Sequence, residues 1–122
     1  MGSDAPGERE AQWVREMYRR IGLGDELLWR HYLGRWRGEP VATTSLFMGA
    51  GVAGLYFVST APQMRRQGFG GAISLAALRE TRALGHRIGV LGSSPLGLLL
   101  YRQLGFKEYC TTGLYEWLPP TA

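Results

Sequence analysis

Arg65-Arg66-Gln67-Gly68-Phe69-Gly70-Gly71-Ala72 is the stretch whose residue types and spacing can do chemistry. Glycines at 68 and 70 remove the side chains that would hold a ligand away from the backbone. Successive bare N–H groups in such a loop form an anion-binding concavity. Arg65 and Arg66 add charge that can be directed at phosphate oxygens. A helix opening near Phe69 points the positive end of its dipole at the same place. The competing reading is a plain strand-to-helix turn, since glycine turns before helices are common.

The loop discriminates among phosphate ligands. A Walker-type loop ends in Gly-Lys-Ser/Thr, and no lysine stands here. A dinucleotide fingerprint needs a third glycine three residues after the second, and that position is Ile73. Nucleoside triphosphates and dinucleotides therefore drop behind other anionic ligands.

The elements that must position this loop follow from apolar spacing. Residues 1–8 read as a loose tail. Trp13, Val14, Met17, Tyr18 and Ile21 recur at helical spacing over residues 10–21. Gly22 and Gly24 stop that helix, and Asp25 is placed to cap a short turn through Leu28. Residues 29–36, 41–48 and 52–60 read as an antiparallel meander, joined by a turn at 37–40 and a tight loop at Gly49-Ala50-Gly51. A second helix starts at Phe69 with Ile73, Ala76, Ala77 and Leu84 on its inner face, Arg79, Thr81 and Arg82 away from it, and Gly85 at its end. Residues 87–91 form a short buried strand. Ser93 or Ser94 caps a helix with Pro95 in its first turn that runs to Leu104. Residues 106–110 and 112–117 make a final hairpin. The expected fold is one mixed α/β domain, of the α+β type, with a central sheet.

Composition bounds the function. A chain of 122 residues, 45% hydrophobic and 20% charged, is a single soluble globular domain. No apolar run is long enough to span a bilayer, and the first ten residues are too polar for a secretory signal. The lone Cys110 excludes an internal disulfide and a cysteine-based zinc site, and reads as a small buried apolar residue. A cytoplasmic location is expected. His31 and His86 lack ligand-like spacing, so no metal is expected. The net charge of +4 is carried by arginine, with Lys107 the only lysine. A GC-rich genome accounts for the total, whereas the Arg65-Arg66 pair suits an anionic ligand. Glu8, Glu10, Glu16, Asp25 and Glu26 interleave with the N-terminal arginines, leaving no clean basic stripe for nucleic acid.

Arg65, Gly68 and Gly70 meet the pattern Arg/Gln-x-x-Gly-x-Gly/Ala, and Pro62 stands three residues before Arg65. Leu100-Tyr101-Arg102-Gln103-Leu104-Gly105-Phe106 matches a Leu-Tyr-x-x-x-Gly-Phe signature, and Leu114-Tyr115-Glu116-Trp117 fits a closing strand. Jointly these features, across residues 29–118, resemble the GNAT (GCN5-related) N-acetyltransferases, in particular the C-terminal catalytic part of a bacterial member.

The resemblance implies the GNAT fold, a mostly antiparallel mixed sheet flanked by helices, with acetyl-CoA as co-substrate. It places the pantetheine arm against the splayed strand at Val58, Ser59 and Thr60, a form of strand addition. The pyrophosphate falls on Arg65, Arg66, Gln67, Gly68, Phe69, Gly70 and Gly71. Tyr101 matches the tyrosine that protonates the departing thiolate. A phenol with a pKa of about 10 can supply a proton to a thiolate whose conjugate acid lies near ~8.5. Ser94 stands where an asparagine often precedes the tyrosine helix, able to cap the helix or meet the cofactor. The acceptor is a primary amine that takes the acetyl group by direct transfer in a ternary complex and not through an acyl-enzyme, since no Cys–His arrangement is visible. No carboxylate lies in residues 52–60 to act as base. Tyr56, Glu39, Glu108 and His31 are outside candidates.

One departure stands out. The family begins with a strand that has no counterpart before residue 10. The chain is then either part of a longer or tandem acetyltransferase, or a compact member that covers its sheet edge by homodimerising. Trp13, Trp29, Tyr32 and Trp36 are available for such an interface or for the core. A non-catalytic acyl-CoA-binding module is the alternative to an enzyme.

Overall fold

The computed structural model describes residues 8–21 and 28–121. The expected helix stop at Gly22 and Gly24, the Asp25 cap and most of the tail lie outside them. The chain forms two compact units, one ending at Gly92 and one starting at Ser93.

The first unit opens with α1 (Glu8–Ile21), two residues longer than its apolar spacing predicts. Glu16 pairs with Arg20 one turn on, at 3.0 Å, and Arg19 and Arg20 complement the dipole at its C-terminal end. The meander follows as β1 (Trp29–Trp36), β2 (Glu39–Gly49) and β3 (Val52–Thr60). Both hairpin turns have two residues at positive φ, Arg37-Gly38 and Ala50-Gly51. Paired positive φ matches the right-handed twist of the strands they join. β2 starts earlier than expected because Pro40 is taken into the ladder opposite Arg35, beside a register shift at Gly34/Arg35. A proline with no N–H to donate is tolerated at such a strand start.

After β3 the chain makes a 3-10 turn (Pro62–Met64) and enters α2 (Phe69–Ala83), which returns it to β4 (Gly89–Leu91), parallel to β3. The sheet order is β1-β2-β3-β4, and α2 packs across β1, β2 and β3. Ile73, Ser74, Ala77 and Thr81 are the buried stripe of α2, against fully buried Leu46 and Leu55.

That stripe corrects the expected inner face. Thr81 is buried, while Ala76 and Leu84 are exposed. The threonine goes in because its hydroxyl donates to the Ala77 and Leu78 carbonyls of its own helix, which leaves no unsatisfied polar atom. Strand β4 is also shorter than 87–91 and not buried, with Val90 43% exposed. Among the described residues it is an edge strand, paired with β3 over three residue pairs.

The Tyr32 hydroxyl and the Arg30 guanidinium both donate to the Glu80 carboxylate, tying β1 to α2. Tyr32 is held well above the usual phenol pKa, first by burial and then by its bond to Glu80.

Among its described residues the second unit holds α3 (Leu98–Gln103) and no strand. The expected hairpin over 106–117 is absent, and Tyr109, Leu114, Tyr115 and Trp117 are exposed. A lone two-stranded hairpin is marginal without a third strand or a helix to pack on. Within this unit only six-residue α3 is on offer. Cys110 is correspondingly exposed, not buried.

Candidate functional site

Strand β3 has different neighbours along its length. Residues 53–55 pair with β4, and the pairing stops at Leu55↔Leu91. On the other side, Ser45 pairs with Tyr56 and Thr43 with Ser59, so Thr44 alone faces Phe57 and Val58. This is a β-bulge, which bends a strand and re-aims its groups. Phe57 sits at φ 55, a conformation that bulky residues rarely adopt. The Thr44 hydroxyl donates to the Tyr56 carbonyl at 3.2 Å and pins the bulge. Val58, Ser59 and Thr60 therefore lie past the end of β4, with that side of their backbone unpaired by the sheet.

The chain then turns into the glycine loop. Ala61 N–H still donates to the Val41 carbonyl, at 2.8 Å. Arg65 is extended, Arg66 stands at φ 64 and Gly68 at φ 84. Nothing lies within 4 Å of where a Cβ at Gly68 would sit, so the glycine is required by its dihedral and not by crowding. The first bond inside α2 runs from Ala72 N–H to the Gly68 carbonyl, at 3.0 Å. The N–H groups of Phe69, Gly70 and Gly71 point out of the helix start, where no side chain caps them. The Ser74 hydroxyl donates to the Gly70 carbonyl at 2.7 Å. Met64 and Phe69 anchor the loop by packing on Val41, Ala42 and Ile73. Arg65 Nε reaches back to the Thr60 carbonyl at 3.4 Å, and the Arg65 and Arg66 side chains are exposed.

Every residue expected on the donor path from Val58 to Gly71 thus lies on one continuous stretch of the first unit. The result is an unpaired strand end leading into an electropositive cradle. Such a surface can accept an extended chain by main-chain hydrogen bonds and hold an anion at one end of it.

Tyr101 and Ser94 belong to the second unit. Tyr101 lies on α3, its ring edge-on to Phe106 with centroids 6.1 Å apart. Burial pushes its phenol above the ordinary value, so the group is protonated at neutral pH. A Cβ at Gly97 would come within 2.9 Å of the Tyr101 ring, so that glycine makes room for it. Ser94 does not cap the helix. Its carbonyl accepts from Gly97 N–H in a turn and from the Ser93 hydroxyl, and α3 begins only at Leu98 with Gly97 before it. Glu108 pairs with Arg102 at 2.7 Å.

His31 and Tyr56 converge on one sheet face, on either side of Ser45. The His31 Nδ1 is 2.8 Å from Ser45 Oγ. Sequence reasoning missed this convergence, the bulge at Phe57 and its Thr44 clasp. The signal for them lies in strand register, not in any local pattern.

The fold is that of the GCN5-related N-acetyltransferases. An acetyltransferase from Trypanosoma brucei superposes with a TM-score of 0.67 at 22% identity, covering 90% of this chain and 80% of that one. The aminoglycoside N-acetyltransferase AAC(6')-Iy, in complex with CoA, gives 0.70 at 14% identity over 97% of this chain and 96% of that one. Glucosamine-6-phosphate N-acetyltransferase from Arabidopsis thaliana gives 0.67 at 14% identity, covering 96% of this chain and 82% of that one. No protein-family model matches the sequence, and no curated protein resembles it in sequence.

Proposed function

We propose that the protein is a GCN5-related N-acetyltransferase that moves an acetyl group from acetyl-CoA to a primary amine by direct transfer in a ternary complex. The observation that carries this is the β3 end: a bulged strand left unpaired by the sheet on its β4 side, followed through a 3-10 turn by the uncapped start of α2. The free edge of Val58, Ser59 and Thr60 pairs with the two amides of the pantetheine arm. The cradle from Arg65 to Gly71 holds the pyrophosphate with backbone N–H groups and two guanidiniums. The acceptor nitrogen attacks the thioester carbonyl carbon, the C–N bond forms and the C–S bond breaks. The thiolate leaves with the proton of the Tyr101 phenol, the proton shed by the acylated nitrogen restores that phenol, and the Ser94 hydroxyl meets the cofactor. A cytoplasmic setting and a homodimer complete the proposal.

Calorimetry with acetyl-CoA, followed by thiol release with a panel of amines, tests it. Saturable binding and amine-dependent release are expected. A folded protein that binds no CoA species overturns the assignment. One that binds acetyl-CoA, yet releases no thiol with any amine and is unaffected by Tyr101→Phe, is a binding module and not an enzyme.

A further inference from the structure

His31, Ser45 and Tyr56 form a row across three strands. His31 and Ser45 are register partners between β1 and β2, and Ser45 and Tyr56 between β2 and β3. Partners in an antiparallel ladder point to the same side of the sheet. That side is opposite the one on which Arg30 and Tyr32 meet Glu80 of α2. Ser45 is buried and bonded to His31 Nδ1 at 2.8 Å, while His31 is half-buried and Tyr56 is 44% exposed.

Aromatic rings surround the imidazole. Tyr18 of α1 stands edge-on to it with centroids 4.7 Å apart, and the Trp29 ring runs parallel to it at 6.2 Å. Trp29 in turn lies 5.5 Å from Tyr56 and 4.9 Å from Phe47. Among the described residues, the titratable group in ring contact with His31 is Tyr18 of α1, with uncharged Ser45 of β2 at its Nδ1 and Tyr56 of β3 one strand further along the row. Arg30 and Glu80 pair with each other on the other face.

The position of the row matters as much as its chemistry. It rests on the acetyltransferase reading, in which the pyrophosphate lies at 65–71 and the pantetheine arm runs back along 60 to 58. The acyl end then reaches the bulge at Phe57, one residue from Tyr56.

We propose that this row is the acceptor side of the site: a primary alkylamine arrives as its ammonium ion against the Trp29 and Tyr56 rings, and His31 Nε2 takes the proton that it must lose. Aromatic faces attract cations by about 0.5–2 kcal/mol, which selects the charged alkylammonium over neutral acceptors. With Nδ1–H donating to Ser45 Oγ, Nε2 carries the lone pair. The proton moves from nitrogen to Nε2, and the freed electron pair of the amine forms the C–N bond. The imidazolium returns its proton to solvent after turnover. Ser45 is a positioning residue that fixes the tautomer.

The test uses n-propylamine as the minimal acceptor, thiol release at saturating acetyl-CoA across neutral pH, and calorimetry with acetyl-CoA for each variant. His31→Asn is expected to lose about a hundredfold in kcat/KM for the amine, together with the acid limb of the profile, while binding acetyl-CoA as the parent does. Tyr56→Phe keeps the ring and is expected to keep the limb. An unchanged rate and limb in His31→Asn overturns the proposal, as does loss of the limb in Tyr56→Phe alone. If His31→Asn also loses acetyl-CoA binding, Ser45→Ala decides: the imidazole remains, and an unmoved acid limb overturns the proposal. A parent protein that binds acetyl-CoA but gives no release with propylamine overturns this inference alone. One that binds no CoA removes the acetyltransferase reading with it.

Discussion

The proposed donor stretch and the proposed acceptor row are built in opposite ways. From Phe57 to Gly71 the working groups belong to the main chain: a bulge, three residues at positive φ and a helix start that nothing caps. From His31 to Tyr56 they belong to side chains that three separate strands bring together. A main-chain site is governed by dihedral angles, so it tolerates most changes of side chain and fails where a conformation is denied. A side-chain site tolerates backbone strain elsewhere and fails with the loss of one functional group.

The sharpest way to break this contrast is Gly68→Val. A β-branched residue at φ 84 is strained by about 1–3 kcal/mol. The loop escapes that strain only by abandoning the geometry that lines up the Phe69, Gly70 and Gly71 N–H groups. Calorimetry is expected to show acetyl-CoA affinity lowered by about a hundredfold, equivalent to ~2.7 kcal/mol. Unchanged affinity would mean that the cradle does not depend on this dihedral, and the contrast would fail.

A smaller effect separates charge from conformation at the neighbouring position. Arg66 holds a left-handed φ that costs an L-residue about 1–2 kcal/mol. Arg66→Gly removes both the strain and the guanidinium. Denaturant unfolding is expected to show a gain of about 1 kcal/mol, while acetyl-CoA affinity falls by about tenfold. Stability and binding moving in opposite directions is the signature of strain kept for function. If both fall, the side chain is structural.

How much of this was legible in the sequence divides along the same line. Glycines are visible as letters, and so the loop at 65–71 and the bounds of β1, β3 and the start of α2 could be read directly. The row could not. His31, Ser45 and Tyr56 are far apart in the chain, and only register makes them neighbours. The bulge that sets Tyr56 against Ser45 has no local mark, because Phe57 is a residue that normally avoids positive φ. Thr81 was misplaced for a related reason. Polarity argued for the outer face of α2, but a hydroxyl that donates to its own helix can be buried. The strands expected over 106–117 rested on their apolar and aromatic residues, which ask for a surface to bury against and do not specify a partner.

The other polar cluster of the sheet supplies the control for the row. Tyr32 also places a phenol beside charged groups, on the face that α2 covers, but its hydrogen bond is already made to Glu80. Its role is structural, so Tyr32→Phe is expected to leave acetyl-CoA affinity and the acid limb of turnover unchanged. It should lower stability by about 1 kcal/mol, the scale of one such bond. Its pH signature follows from the raised phenol pKa, caused first by burial and then by Glu80. The neutral phenol is favoured in the folded state, so its contribution is fully present below the unfolded value of about 10 and is lost as pH rises toward the folded value. Unfolding free energies for the parent and for Tyr32→Phe should therefore differ by a constant amount through neutral pH and converge in strong alkali. A difference that instead changes around neutral pH, where imidazoles titrate, would couple this cluster to His31 and join the two faces that the structure keeps apart.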